Sequence, residues 1–166
     1  MRLEVETVIN APRQHVWDVL TSWERQPEWM LDAKDVVVLT PQRTGDGVTL
    51  RCPTNLLGFT VDDIMRVTAW DPPNRLAVTH LGKIITGSGA FELSDGENGT
   101  THVLWWEEID PPLGIIGEYG ARLFVLPIIK RIFTRSLKNF TALCETDAAL
   151  AGEESPQHPS EPPADQ

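Results

Sequence analysis

Residues 126–144, LPIIKRIFTRSLKNFTALC, decide the fold. Leu126, Ile129, Phe133, Leu137, Phe140 and Cys144 recur at spacings of 3, 4, 4, 3 and 4 residues. Those steps keep to a repeat of about 3.6 residues and lay one apolar stripe along about five helical turns, whereas a strand would alternate every second residue. A stripe of that length has to be buried against something. Between Lys34 and Ile109 almost every segment that could receive it reads as extended chain. The pattern therefore predicts an α+β architecture in which one long helix grips a sheet, an arrangement that can leave a cavity between the layers.

Upstream of the stripe the signals are those of strands. Leu3, Val5, Thr7 and Ile9 alternate with Arg2, Glu4, Glu6 and Val8, giving a first strand that ends at Asn10. Asn10-Ala11-Pro12 is a helix-start signal, and Val16, Trp17 and Leu20 follow at helical spacing, so a short helix is expected over residues 12–22. Pro27 then breaks the chain before a second short helix containing Trp29 and Met30. From Asp35 onward VVVLT, VTLRC, FTVDDIMRVTAW, RLAVTHL, KIITGSGAFELS and TTHVLWWEEI are separated by Gly-, Asn- and Pro-rich turns. The expected order is strand, two short helices, an antiparallel meander making about six to seven strands in all, and the long helix. Proline inside a helix costs about 3 kcal/mol or more, so a kink or restart is expected at Pro127, with residues 113–125 as a looser lead-in.

The chain has 166 residues, 41% of them hydrophobic, and a net charge of −10. That length suits one domain, placed at residues 1–148, and a Pro-rich acidic tail at 149–166 reads as disordered. Glu153, Glu154, Glu161 and Asp165 belong to the tail, and without those four charges the body still carries −6, which argues against nucleic acid as the main partner. Cys52 and Cys144 lie far apart in apolar patterns and read as buried free thiols. The N-terminus alternates rather than presenting an apolar run, so no signal peptide is read and a cytoplasmic location is expected. Glu118, Arg122, Lys130 and Arg131 exclude a membrane-spanning helix. His15, His80, His102 and His158 have no metal-ligand spacing, and neither a phosphate loop nor a nucleophile elbow is present; no metal or cofactor is expected.

The segments VINAPRQHVWDVLTSWERQPEWM, RVTAWDPPNRLAV, GSGAFEL, TTHVLWWEE and RIFTRSLKNFTALCE, in that order, resemble the START-like superfamily of polyketide cyclases, dehydrases and lipid-transport proteins (SRPBCC) over about residues 2–147. The resemblance implies a helix-grip fold like that of the major birch pollen allergen, with an apolar cavity between curved sheet and long helix. It implies binding of lipids, sterols, polyketides or similar molecules, and in some members cyclisation of a bound polyketide. The superfamily has no invariant catalytic signature.

Phasing the strands by their apolar members identifies the side chains that look toward the helix. Phe59, Val61, Met65 and Val67 share a face with Asp63; Leu76 and Val78 carry His80; Phe91 and Leu93 point together; Val103 and Trp105 carry Glu107. Asp63, His80 and Glu107 thereby become the candidates for acid/base chemistry, unless a bulge reverses the phase or they lie at a solvated rim. Extending the helical stripe backwards brings Tyr119 and Arg122 to the cavity mouth, where a phenol and a guanidinium suit a ligand carboxylate or oxyanion. Trp29 and Met30 are expected to line the entrance, Trp105 to stack on a flat ligand, and Phe59, Met65, Phe91 and Phe133 to complete the lining. On the far side of the long helix Arg131, Arg135 and Lys138 form a basic face. Phe124 and Ile128 beside it leave peripheral contact with a membrane or a protein partner open.

These residues support three function classes. The first is binding or transport of a small hydrophobic ligand. The second is a polyketide cyclase or aromatase using the ionisable set. The third is a regulatory interaction module of the kind some superfamily members form with the translation machinery. Monomer and homodimer are equally compatible with the sequence.

Overall fold

The structure, a computed structural model, describes residues 2–56, 58–82, 84–109 and 126–153. Strand β1 (Arg2–Ile9) is followed by helix α1 (Arg13–Leu20), a 3-10 turn (Trp23–Arg25) and the single-turn helix α2 (Gln26–Trp29). Strands β2 (Val37–Val38), β3 (Thr49–Leu56), β4 (Phe59–Asp71), β5 (Arg75–Leu81), β6 (Thr86–Asp95) and β7 (Thr101–Ile109) come next, and helix α3 (Leu126–Glu153) closes the order.

The strands form one antiparallel sheet in the order β1-β7-β6-β5-β4-β3-β2. The first and last strands are neighbours: Arg2 lies opposite Glu108 and Ile9 opposite Thr101. From β7 the sheet steps back through the meander to β2, where the expected VVVLT strand contributes only Val37–Val38 to the edge.

Helix α3 covers the inner face of this sheet, and the stripe that predicted it is what it buries. Phe133, Leu137, Phe140 and Cys144 are in the core, with Leu126 and Ile129 partly buried against it. Helix position is set by polar contacts at several levels. Thr7 and Thr141 pair through their hydroxyls at 3.2 Å, and the Asn10 N–H donates to Glu145 at 2.9 Å. The Leu31 N–H donates to the buried Ser136 hydroxyl at 3.0 Å, and Arg25 pairs with Asp147 at 2.5 Å. The α2 segment is thus tied to the middle of α3 and the 3-10 turn to its C-terminal part.

Three expectations concern the ends of the helices. Pro127 is the second described residue of α3, and the looser lead-in expected over residues 113–125 lies outside the described ones. Pro27 falls in the first turn of α2 and opens that helix. At the other end α3 continues to Glu153, past the domain boundary expected at residue 148; residues 154–166 lie outside the described ones.

The β4–β5 register shifts between Val67 and Ala69. This bulge turns Trp70 inward, where it meets Trp17 at 5.2 Å and Trp23 at 6.0 Å. Because the shift comes after Val67, the phase of the earlier part of β4, including Asp63, is unaffected.

Candidate functional site

Asp63 on β4, His80 on β5 and Glu107 on β7 all project from the inner face and meet there. The two carboxylates are 5% and 7% exposed. His80 Nδ1 donates to Asp63 Oδ2 at 2.9 Å, and its Nε2 donates to Glu107 Oε2 at 3.2 Å. The other Glu107 oxygen accepts from the Trp105 indole N–H at 3.0 Å. On the outer face Arg2 stacks over Trp106 at 4.5 Å, and the Trp106 N–H reaches Glu92 at 3.1 Å. The inward phase of Trp105 and Glu107 follows.

The sheet topology explains how Glu107 reaches His80 across an intervening strand. On β6, Gly89 is paired with Glu107 and Gly87 with His80. Neither presents a side chain to the inner face. A Cβ on Gly89 would overlap the Glu107 carboxyl atoms, so this glycine provides the room in which carboxylate and imidazole meet. The Gly-Ser-Gly run inside an otherwise regular strand was the sequence signal for this close approach.

Burial by itself would lower the His80 pKa, but the hydrogen bonds to Asp63 and Glu107, and then their charges, outweigh it and push the imidazole up to about 10. His80 is therefore an imidazolium at neutral pH with both N–H groups engaged. Asp32, in the segment after α2, joins the group electrostatically: burial raises its carboxyl pKa, its backbone hydrogen bond opposes this, and the charges of Glu107 and Asp63 add to the rise. The sequence pattern carried no signal for Asp32, which lies outside any periodic element.

An aromatic cluster adjoins the polar one. The Trp105 ring lies between Phe91, at 4.8 Å and 21°, and Phe133, at 4.0 Å and 8°. Trp29 sets its ring nearly perpendicular to both Phe91 and Trp105, at 6.0 and 6.2 Å, and contacts Phe140 at 4.7 Å. Met30 and Met65 are partly buried against this core. Of the nine residues expected to line a ligand site, Trp29, Met30, Met65, Phe91, Trp105 and Phe133 are therefore gathered in one interior. The aromatic rings contact one another.

Phe59 does not join them and is 77% exposed. It begins β4 at the hairpin next to Gly58, and alternation along a strand determines burial only where another layer covers the sheet. Tyr119 and Arg122, with Phe124, lie outside the described residues. Ile128 is an exposed apolar residue on the outer side of α3.

A separate groove of about 1,040 Å³ runs between β1 and the N-terminal part of α3, bordered by Arg2, Glu4, Glu6, Lys130, Thr134 and Lys138 among others. Its borders include none of Asp63, His80 and Glu107, and Leu3, Val5, Leu104, Leu126 and Leu137 line it between those polar residues. The interior cluster, where His80, its pKa raised, is held between two buried carboxylates, is the candidate site. Among the described residues no set of His, Cys, Asp and Glu has the arrangement of a metal centre, and no helix is long and apolar enough to cross a membrane.

A curved antiparallel sheet gripped by one C-terminal helix, with polar groups set into an aromatic interior, defines a START-like helix-grip domain. The chain belongs to the polyketide cyclase / dehydrase and lipid transport family, whose model matches residues 1–145. It is 27% identical over 149 residues to an uncharacterised protein of Mycobacterium tuberculosis, a match that covers 85% of this chain and 96% of the relative. Among solved structures, the Zhui aromatase/cyclase of a Streptomyces species superposes with a TM-score of 0.77 at 19% identity, over 92% of this chain and 98% of that one. The Thermus thermophilus protein TTHA0849 gives 0.76 at 17% identity, over 89% and 99%. A START superfamily protein of Mycobacterium smegmatis gives 0.64 at 12%, over 90% and 98%. At these identities the structural likeness is one of fold.

Proposed function

We propose that this protein binds a small hydrophobic ligand between the inner face of the sheet and α3, with the ligand's polar end directed at the Asp63–His80–Glu107 group. The observation that carries this reading is the burial of those three ionisable side chains beside an aromatic interior. Apolar side chains of similar volume often stabilise a core as well or better, so stability alone does not account for the group. Family membership supports the same role.

The experiment is native mass spectrometry of the purified full chain, with solvent extraction of whatever accompanies it. An apolar molecule released at stoichiometric amount, and rebinding of it with a change in Trp105 fluorescence, is the expected result. Retention of the mass of the bare chain, together with no fluorescence response to apolar probes, would overturn the proposal.

A second reading, enolisation of a bound poly-ketone, is favoured by one observation: carboxylates and an imidazolium in contact away from water. The geometry as it stands supports it less well. Both His80 N–H groups are already donated to Asp63 and Glu107, which leaves no ring proton for a substrate carbonyl. Exchange of the α-protons of a β-diketone into deuterated water, accelerated by the protein and lost in Glu107→Gln, would favour catalysis over binding.

A further inference from the structure

Among the described residues three buried side-chain polar atoms have no hydrogen-bond partner; Arg13 Nε faces Asp95 in an ion pair at 3.2 Å, which leaves the indole Nε1 of Trp29 and the carboxyl Oδ1 of Asp32. Trp29 is 1% exposed. One atom is a donor and the other an acceptor, three residues apart in the chain, and leaving such a group unsatisfied costs about 1–3 kcal/mol. Both border the same cluster. Trp29 packs edge-on against Trp105, whose own N–H holds Glu107, and the charge of Glu107 acts on Asp32.

We propose that these two groups are the polar recognition element of the ligand site, and that they select an apolar molecule bearing a neutral hydroxyl, an alcohol or a phenol, against one bearing a carboxylate. This rests on the ligand-binding reading above and adds the chemistry of the ligand's polar end. A hydroxyl both donates and accepts, so it carries the complement of each of the two groups. A carboxylate accepts only. It would face the carboxyl groups of Asp32, Asp63 and Glu107, while the cation in the group, His80, has both N–H groups committed. An ammonium donates only and leaves the Trp29 N–H unpaired.

The test titrates the full chain at neutral pH with four matched probes: naphthalene, 2-naphthol, 2-naphthoate and 2-naphthylmethylammonium. Two added hydrogen bonds should make 2-naphthol bind about tenfold more tightly than naphthalene, with the two ionic probes at least about tenfold weaker than 2-naphthol. Trp29→Phe and Asp32→Ala should each reduce the advantage of 2-naphthol over naphthalene to about threefold, with circular dichroism and the urea midpoint serving as the folding control. Equal binding of naphthalene and 2-naphthol, or tight binding of either ionic probe, overturns the inference and leaves ligand binding standing. The four-probe comparison on the unaltered chain decides this even if a variant fails to fold. If none of the four probes binds, the ligand-binding reading falls and the inference with it.

Discussion

The Glu107 carboxylate lies over the backbone of Gly89, its partner across the β6–β7 ladder, in space that any side chain at that position would occupy. The space lets Glu107 on β7 reach His80 on β5, strands that are not neighbours. Only because β6 is bare there can a carboxylate from β7 meet an imidazole from β5. Gly89→Ala should therefore displace Glu107 from His80, costing about 1–3 kcal/mol in urea denaturation. The His80 titration followed by NMR should fall from about 10 toward its ordinary value of 6.5. An unchanged His80 titration would show that Glu107 can keep its place beside a methyl group.

Alkaline stability should depend on His80. Its pKa is 6.5 in a model peptide and about 10 in the fold, so the folded chain holds a proton that the unfolded chain releases. The resulting stability is fully present below about pH 6.5 and is lost as pH rises toward 10, at up to about 1.4 kcal/mol per pH unit. Denaturant midpoints between pH 7 and about 8 isolate this effect, because the buried thiols of Cys52 and Cys144, pushed up to about 11 and about 12 in the fold, begin to add the same slope only as the unfolded chain's thiols ionise toward 9. In His80→Gln the slope in that window should flatten.

The stacked pair formed by Trp105 and Phe133 couples the sheet to α3 at 4.0 Å between ring centres. Phe133→Ala should lower stability by about 3–5 kcal/mol, as large-to-small core changes do, and should alter Trp105 fluorescence. A loss under about 1 kcal/mol would mean that the two rings are not packed in solution as they are here.

Ser136 is a polar residue on the buried side of α3, and its hydroxyl accepts the Leu31 N–H. Ser136→Ala should leave that N–H without its partner, costing about 1–3 kcal/mol. Faster hydrogen exchange at Leu31 should accompany the loss. Asp32 is the next residue, so discrimination between 2-naphthol and 2-naphthoate should narrow as well.

Phe59 supplies the contrasting case. As an exposed residue it should tolerate Phe59→Ser within about 0.5 kcal/mol, with probe affinities unchanged. A loss of ligand binding would return it to the site from which its exposure separates it.

Much of this architecture was legible in the chain, and the misreadings have local causes. The inward phase of Asp63, His80 and Glu107 could be taken from neighbouring Val61, Val78 and Trp105, because a regular strand repeats every two residues. Phe59 misled because alternation says nothing about where the covering layer ends. Asp32 and Ser136 were missed for opposite reasons: one has no periodic neighbours, and the other looks like a polar interruption of an apolar stripe.

By itself the sequence determined the elements and their facing sides: the helical stripe from Leu126 to Cys144, the alternating strands, and which face of each carries ionisable groups. Helical and extended periodicities are properties of neighbouring residues, so they survive without knowledge of the fold. Only the tertiary structure decided that β7 pairs with both β1 and β6, that Gly89 lies beneath Glu107, and that Trp29 and Asp32 enter the interior with an atom unpaired. Those relationships depend on long-range strand register and on the docking of α2 against α3. A one-residue shift in that register would turn the same side chains to the other face of the sheet.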